Sequence, residues 1–256
     1  MILSYARTGG GRPSQQLMFL VEKGNPDHKQ SQTLAMTPSS IRLACSGVAE
    51  LRMLCAARLE TAPSSRVFDN RLEPPRSDYD LNPSRGAEGG LVAPRAAAVL
   101  VPIVARPEGL SVILIQRPET MAAHAGQISF PGGKVDANDS SPVETALREA
   151  EEEIGLARTH VELLGFLDCY QVGSGFRIVP VVGLVTPPFS LRLDTREVTE
   201  AFEVPFAFLM DSGNHEKRSR DMKGRTQWFY AMPHEDRFIW GATANMIRNL
   251  FERLTA

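Results

Sequence analysis

The chain has 256 residues, 43% of them apolar, enough to bury a sizeable core in one domain with an appendage or in two small ones. A formal net charge of −2 gives no electrostatic reason to expect a nucleic-acid partner, and the longest wholly apolar run, residues 96–105 with Pro102 inside it, is too short to span a bilayer. Three cysteines, Cys45, Cys55 and Cys169, are widely spaced and lack C-x-x-C pairing, which argues against a disulfide framework or a zinc site and for a reducing, cytoplasmic setting. Residues 1–35, with GGGRPSQQ, KGNPDHKQSQT and no sustained periodicity, read as disordered, and Met36 offers an alternative start of translation. Glu22, Asp27 and the polar residues around them argue against an amphipathic targeting peptide. From Ile41 to Glu60, apolar residues at Leu43, Val48, Leu51, Leu54, Cys55 and Leu59 keep a helical period. Such a helix is too short to bury a core of its own and is expected to pack on the main domain. Residues 61–95, with APSS, EPPRSDYDLNPSRG and EGG, read as a linker or a long wrapping loop. The organisation expected is thus 1–40 disordered or a mis-assigned start, 41–95 a helix and linker, and 96–256 the main domain.

That domain opens with two strands, Ala96 to Arg106 and Leu110 to Arg117, joined by a PEG turn, and a short third strand from Gln127 to Phe130 runs into a PGG loop. The next element carries unusually clear helix punctuation. Ser141 is an N-cap, Pro142 takes the first helical position, Glu144 closes an S-x-x-E capping box, and Gly155 is the stop. Val143, Ala146, Leu147, Ala150 and Ile154 fall on one apolar stripe that must face a core. Glu149, Glu152 and Glu153, at i, i+3 and i+4, crowd their carboxylates together in the C-terminal half of the helix, where the macrodipole already disfavours negative charge. A solvated acidic face is the plain reading of such a run. Arg148, one turn before Glu152 and able to orient it, and the Gly-rich loop favour another: carboxylate oxygens beside a close backbone approach suit Mg²⁺ or Mn²⁺ bridging a diphosphate.

Arg148 to Leu156, REAEEEIGL, resembles the second half of the Nudix box, R-E-U-x-E-E-x-G-U, at every specified position. The first half of that box has a Gly, five residues, a Glu and seven more before the Arg; here Gly133 is followed at that spacing by Asp139 and then eight residues. Upstream, Leu114 to Arg117 and His124 to Gly133 resemble the signature of coenzyme A diphosphohydrolases, with Arg117, Gly126 and Phe130 to Gly133 at the family spacing. Ile115 stands for its Thr, Pro118 for its small residue and Ala122 for its second Arg.

Beyond the acidic helix, Val161 to Tyr170 and Phe176 to Val185 read as strands, the second an edge or bulged strand because it contains Pro180. Residues 191–209 suggest a short strand, a polar loop and a brief helix broken at Pro205; TQWFYAM and RFIWG read as strands, and Ala242 to Leu254 as a closing helix with Met246, Ile247, Leu250 and Leu254 inward. This order predicts an α+β protein with a mixed sheet between helices in α/β/α layers. The resemblance implies the Nudix fold over residues 95–254, preceded by the N-terminal helical extension.

It also implies a metal-dependent hydrolase that splits the diphosphate of coenzyme A or its thioesters into 3′,5′-ADP and (acyl-)4′-phosphopantetheine. Glu149, Glu152 and Glu153 would be the metal ligands. Glu152, Arg148 and the distal Glu197 would be catalytic, and Arg117, His124, Gly126, Phe130, Gly132 and Gly133 would meet the substrate. Two alternatives stand beside this reading: the same chemistry on another nucleoside diphosphate derivative such as ADP-ribose, and a Nudix-fold binding module without activity. The partner expected is a small molecule, with no nucleic acid and no membrane, and a homodimer is left open. His124 could equally make a structural hydrogen bond, Arg177 could be a ligand contact or an exposed charge, and Trp228, Phe229 and Trp240 read as core rather than as a base-stacking platform.

Overall fold

The computed structural model describes residues 40–45, 47–69, 71–83, 95–120, 125–222 and 224–256. The readings of residues 1–35, the Met36 start, Ala122 and His124 lie outside the described residues, as does the stretch 84–94 of the expected linker. In chain order the elements are helix α1 (Val48–Arg58), strands β1 (Arg76–Ser77), β2 (Arg95–Arg106), β3 (Gly109–Gln116), β4 (Ile128–Ser129) and β5 (Gly132–Lys134), helix α2 (Pro142–Ile154), strands β6 (Val161–Phe166), β7 (Tyr170–Gln171), β8 (Phe176–Val185) and β9 (Glu200–Pro205), helix α3 (Phe206–Leu209), strands β10 (Glu216–Asp221), β11 (Thr226–His234) and β12 (Arg237–Trp240), and helix α4 (Ala242–Thr255).

The main sheet grows from β2, which pairs in parallel with β8 and antiparallel with β3 and β5. Strands β4 and β9 add to β3, β6 and β7 add to β8, and β1 joins β7 in parallel, making a nine-stranded mixed sheet. Alternate residues of its central strands feed two buried clusters. Leu100, Ile113 and Ile115 meet Ala146, Ala150 and Ile154 of α2 on one face, while Val101, Ile103 and Leu114 meet Leu51 and Cys55 of α1 and Leu250 and Leu254 of α4 on the other. Because both faces are covered, the central strands read as nearly continuous apolar runs. This is the α+β arrangement the sequence predicts, a mixed sheet between helices. The four inward positions expected in α4, Met246, Ile247, Leu250 and Leu254, are all buried. Beyond α1 the chain is stitched to β6 by Glu60, whose backbone exchanges both hydrogen bonds with Phe166 (3.1 and 2.9 Å).

Two expectations about these elements need correction. Strand β8 is central, not an edge, and its ladder has no bulge at Pro180; instead Pro180 lies opposite the interval between β6 and β7, where its carbonyl accepts from the Leu167 N–H (3.1 Å). A residue without an N–H is tolerated in a central strand where one neighbour breaks off. Residues 200–205 form strand β9, with Val204 buried, and the brief helix begins after Pro205 instead of ending there, since proline suits the start of a helix better than its interior. The charged segment EKRSRD forms β10, which has no apolar alternation to announce it and is held by its pairing with β11 in a separate three-stranded sheet.

Arg177 is neither exposed nor a ligand contact. It is 4% exposed, its Nε donates to Gln171 Oε1 (3.1 Å), and its Nη1 donates to the carbonyls of Arg66 (2.7 Å) and Asp69 (2.6 Å). It therefore ties the segment before the domain to β8. Arg177→Ala would strand two carbonyls and open a buried gap, and we expect it to lower unfolding free energy by about 2–4 kcal/mol. Urea denaturation checks this; an unchanged midpoint would mean that segment 66–69 is not held by this guanidinium.

Candidate active site

Helix α2 is built as its sequence promises. Ser141 is extended and its Oγ accepts from the Glu144 N–H (3.3 Å), while Gly155 takes the left-handed conformation (φ 68°) and Leu156 reaches back to the Ala150 carbonyl (3.3 Å). Packing the apolar stripe on β2 places the three glutamates in three environments. Glu152 is exposed, the Glu149 side chain is mostly covered, and Glu153, next to Ile154 on the edge of the stripe, is 2% exposed.

Arg148 organises the outer part of the cluster. Its Nη1 meets Glu152 Oε2 (3.0 Å) and Glu149 Oε1 (2.9 Å), and its Nε and Nη2 clasp Asp139 with two bonds of 3.0 Å. Asp139 also accepts from Thr145 Oγ1 (2.8 Å) and the Asp136 N–H (2.9 Å), and the Arg148 pairing holds its carboxyl well below the usual range. The Asp that departs from the box pattern thus anchors the arginine of the box.

The inner part depends on the Gly-rich loop. Gly132 is pressed so closely against β2 that a Cβ there would lie 2.5 Å from the Ala98 carbonyl oxygen, and its φ of 156° favours glycine. From this position its N–H donates to Glu153 Oε2 (2.9 Å), while Arg117 Nη1 lies 3.4 Å from the other oxygen. Burial outweighs these two partners, and with Glu149 and Glu197 nearby the Glu153 carboxyl is pushed up to about 7. Glu149 is also raised, first by burial and then by Glu152 and Glu197 against Arg148. Gly133 has the Glu149 carboxylate where its side chain would be: a Cβ would stand 2.4 Å from Oε1.

Glu197 reaches this cluster through the end of α2. The Arg192 and Asp194 N–H groups cap the carbonyls of Ile154 (2.8 Å) and Glu153 (2.9 Å), and Asp194 turns the chain so that Val198 is buried and Thr199 bonds the Gln116 carbonyl (2.9 Å). Glu197 Oε2 then lies 3.9 Å from Arg117 Nη2, and Arg117 Nε is buried without a partner. Glu200 and Glu203 are taken by other partners, Glu200 by Arg237 (2.5 and 2.7 Å) and Glu203 by Arg106 (2.5 Å) and the Ser111 hydroxyl. Of these three glutamates only Glu197 lines the cleft.

The inner part of this cluster borders a cleft of about 750 Å³, large enough for a small-molecule ligand. The carboxylates of Glu149, Glu152, Glu153 and Glu197 line it together with Arg117, Phe130, Gly132 and Gly133. Phe130 is otherwise buried in the core, and Gly126 does not line the cleft: it makes a left-handed turn (φ 65°) whose missing side chain leaves room for the Glu119 carboxylate. Arg117 pairs with the cluster and not with Glu119. The donors are all oxygens, the kind that hard divalent cations take, and burial first, then the neighbouring carboxylates, raise Glu149 and Glu153 against Arg148 and Arg117. As the side chains stand, no three acidic, histidine or cysteine groups among the described residues surround one point. Sequence reasoning missed Ser77, Asp78 and Leu81, which line the cleft from the segment read as a linker, and Arg220 of β10. The only signal was the absence of a clean break in the SDYDLN stretch; Asp78 there accepts from Tyr170 OH and the Gly173 N–H (both 2.8 Å).

The NUDIX domain family matches residues 94–229, and the chain belongs to it: it is a Nudix hydrolase, of the enzymes that act on pyrophosphate bonds in nucleoside diphosphate derivatives and generally require divalent ions such as Mg²⁺ or Mn²⁺. It is 38% identical over 156 residues to the uncharacterized Nudix hydrolase NudL of Salmonella paratyphi B, a match covering 61% of this chain and 81% of that protein. A MutT/nudix family protein from Enterococcus faecalis is similar in structure at 20% identity, TM-score 0.40 and 67% coverage of each chain. The NUDIX domain of Shewanella oneidensis NrtR, solved with ADP ribose, is similar at 20% identity and TM-score 0.36, covering 49% of this chain and 84% of that one. Neither likeness bears on substrate. No helix among the described residues is long and apolar enough to cross a membrane.

Gly133→Ala tests the inner site. Only the tip of a flexible side chain must move to admit the new methyl, so the fold should survive, whereas Glu149 would be forced from its place. We expect thermal stability within a few degrees of wild type and Mn²⁺ affinity, read by electron paramagnetic resonance, weakened at least tenfold. Wild-type Mn²⁺ affinity in this variant would detach Glu149 from metal binding.

Proposed function

We propose that the protein hydrolyses the diphosphate of coenzyme A or its thioesters, releasing 3′,5′-ADP and (acyl-)4′-phosphopantetheine. The observation that carries this reading is that Arg117, Phe130, Gly132 and Gly133, the residues at the spacing of the coenzyme A diphosphohydrolase signature, line one cleft with the acidic face of α2. In the reaction a P–O bond of the diphosphate breaks, the water oxygen joins the phosphorus attacked, and one proton is released. Glu149, Glu152 and Glu153 would hold Mg²⁺ or Mn²⁺, which when bound neutralises the diphosphate and lowers the pKa of the attacking water.

The protein's own residues supply the rest. Arg148 orients Glu152 and Glu149 while Asp139 fixes Arg148 in turn. The Gly132 N–H keeps Glu153 in place, and Gly133 allows the loop backbone to approach the carboxylates. Glu197 contributes a distal carboxylate from the opposite side of Arg117. Arg117, with a buried Nε that no protein group satisfies, is the cation suited to a substrate phosphate. Hydrolysis of ADP-ribose by the same groups is the competing reading, because the two substrates share adenosine diphosphate.

Glu153→Gln and Glu149→Gln keep the side-chain size and remove a charge, and each should lower kcat by two orders of magnitude or more without unfolding the protein. Near-normal metal-dependent turnover by the Glu152→Gln/Glu153→Gln double variant would end the metal assignment. Chelation should abolish turnover, and Mg²⁺ or Mn²⁺ should restore it. For specificity, kcat/KM on coenzyme A, dephosphorylated coenzyme A and ADP-ribose should fall in that order, and Arg117→Ala should cost about 2–3 kcal/mol in kcat/KM. Equal efficiency on all three would move the assignment to a general nucleoside diphosphate hydrolase. Binding across the panel without turnover would favour a binding module.

A further inference from the structure

The cleft has a second chemical character that the diphosphate chemistry does not use. Strands β10 to β12 place Arg220, Gln227, Phe229 and Trp240 on one face, because Arg220 is registered with Gln227 and Ala231 with Trp240. All four line the cleft. The Arg220 guanidinium lies over the Trp240 ring, 4.8 Å from its centroid and 6.0 Å from that of Phe229, and the two rings meet edge to face at 5.4 Å and 67°. Gln227 Oε1 holds the guanidinium by two bonds, from Nε (3.1 Å) and Nη2 (3.0 Å), which fixes its plane. The first half of β11, which extends beyond β12, is secured from outside the matched domain: Asn82, 7% exposed, accepts from the Trp228 N–H and donates to the Trp228 carbonyl, both at 2.8 Å.

We infer that this guanidinium–aromatic shelf is the subsite for the nucleobase of the substrate. A layered arginine and tryptophan, locked in plane by a glutamine, presents a flat cationic surface, and a flat π-system is the group that gains from it by stacking. The flexible pantetheine or ribose end has no such plane. The inference rests on the substrate being a nucleotide derivative, which the coenzyme A and ADP-ribose readings share. Trp240 lies beyond residue 229, where the family match ends, so the shelf is completed by a part of the chain outside that match. Asn82 is a positioning residue for it.

Intrinsic fluorescence reads the site directly, because the two tryptophans of the chain, Trp228 and Trp240, both line the cleft. The full chain is titrated with ADP and, as a base-free control, with ribose 5-phosphate. ADP should cause a saturable change and ribose 5-phosphate should cause none at the same concentrations. Arg220→Ala should weaken ADP binding about tenfold or more, and Arg220→Lys, which keeps the charge but loses the plane, should weaken it equally. Full affinity in Arg220→Lys would mean that the residue meets a phosphate and not the base, and would overturn the inference. So would wild-type affinity in Arg220→Ala, or an ADP-saturated wild type with unchanged fluorescence. A preference for ADP-ribose over coenzyme A would remove the coenzyme A reading and leave the shelf standing, since both substrates carry adenine.

Discussion

Burying a carboxylate is costly unless it is given partners, and the partners of Glu153 determine much of what surrounds it. The residue is carried under the sheet edge by the same apolar stripe that seats α2 on β2, so its burial follows from the core and not from the site. One partner is a backbone N–H, and it reaches Glu153 only because Gly132 can lie against β2 where any side chain would collide with the strand. The other is Arg117, delivered by the end of β3. Even so the carboxyl sits near neutrality. Burial favours the protonated form of this carboxyl, and a divalent cation bound beside it would favour the charged form.

Arg148 shows the same economy of parts on the exposed side. A single guanidinium is shared by Asp139, Glu149 and Glu152, so the loop before the helix and two turns of the helix are locked to one another. The insertion of one residue before this helix, and the shorter Asp in place of Glu, do not disturb the arrangement because Asp139 is itself held by Thr145 and by the Asp136 N–H. The pairings are those of a partly shielded network, in which each contact is stronger than an isolated surface pair.

The substrate cleft is a composite. Helix α2 and the Gly-rich loop supply its acidic part, the loop after α2 supplies Glu197, the meander of β10 to β12 supplies aromatic rings and Arg220, and the segment around Asp78 closes it from before the domain. That last segment is held by Asp78, which accepts from the Gly173 N–H, and by Asn82, which pairs with the backbone of Trp228 in β11, while Arg177 holds residues 66 and 69 just before it. What reads as a linker is therefore part of the wall.

Local signals in the sequence determined the elements whose stability is local. The capping box, the N1 proline and the stopping glycine placed α2, and the spacing of apolar residues placed its buried face and that of α4, because each of these depends on residues within one or two turns. The carboxylates of α2 were legible for the same reason. The tertiary structure decided what depends on contacts between distant segments: that β8 is central although it holds a proline, that EKRSRD is a strand, that Arg177 is buried, and that Glu200 and Glu203 are drawn away from the cleft that Glu197 lines. In each case the deciding partner lies far along the chain. Arg106 and Arg237 take two of the three glutamates, Asn82 meets Trp228, and Arg177 meets Arg66 and Asp69, pairings that no local pattern announces.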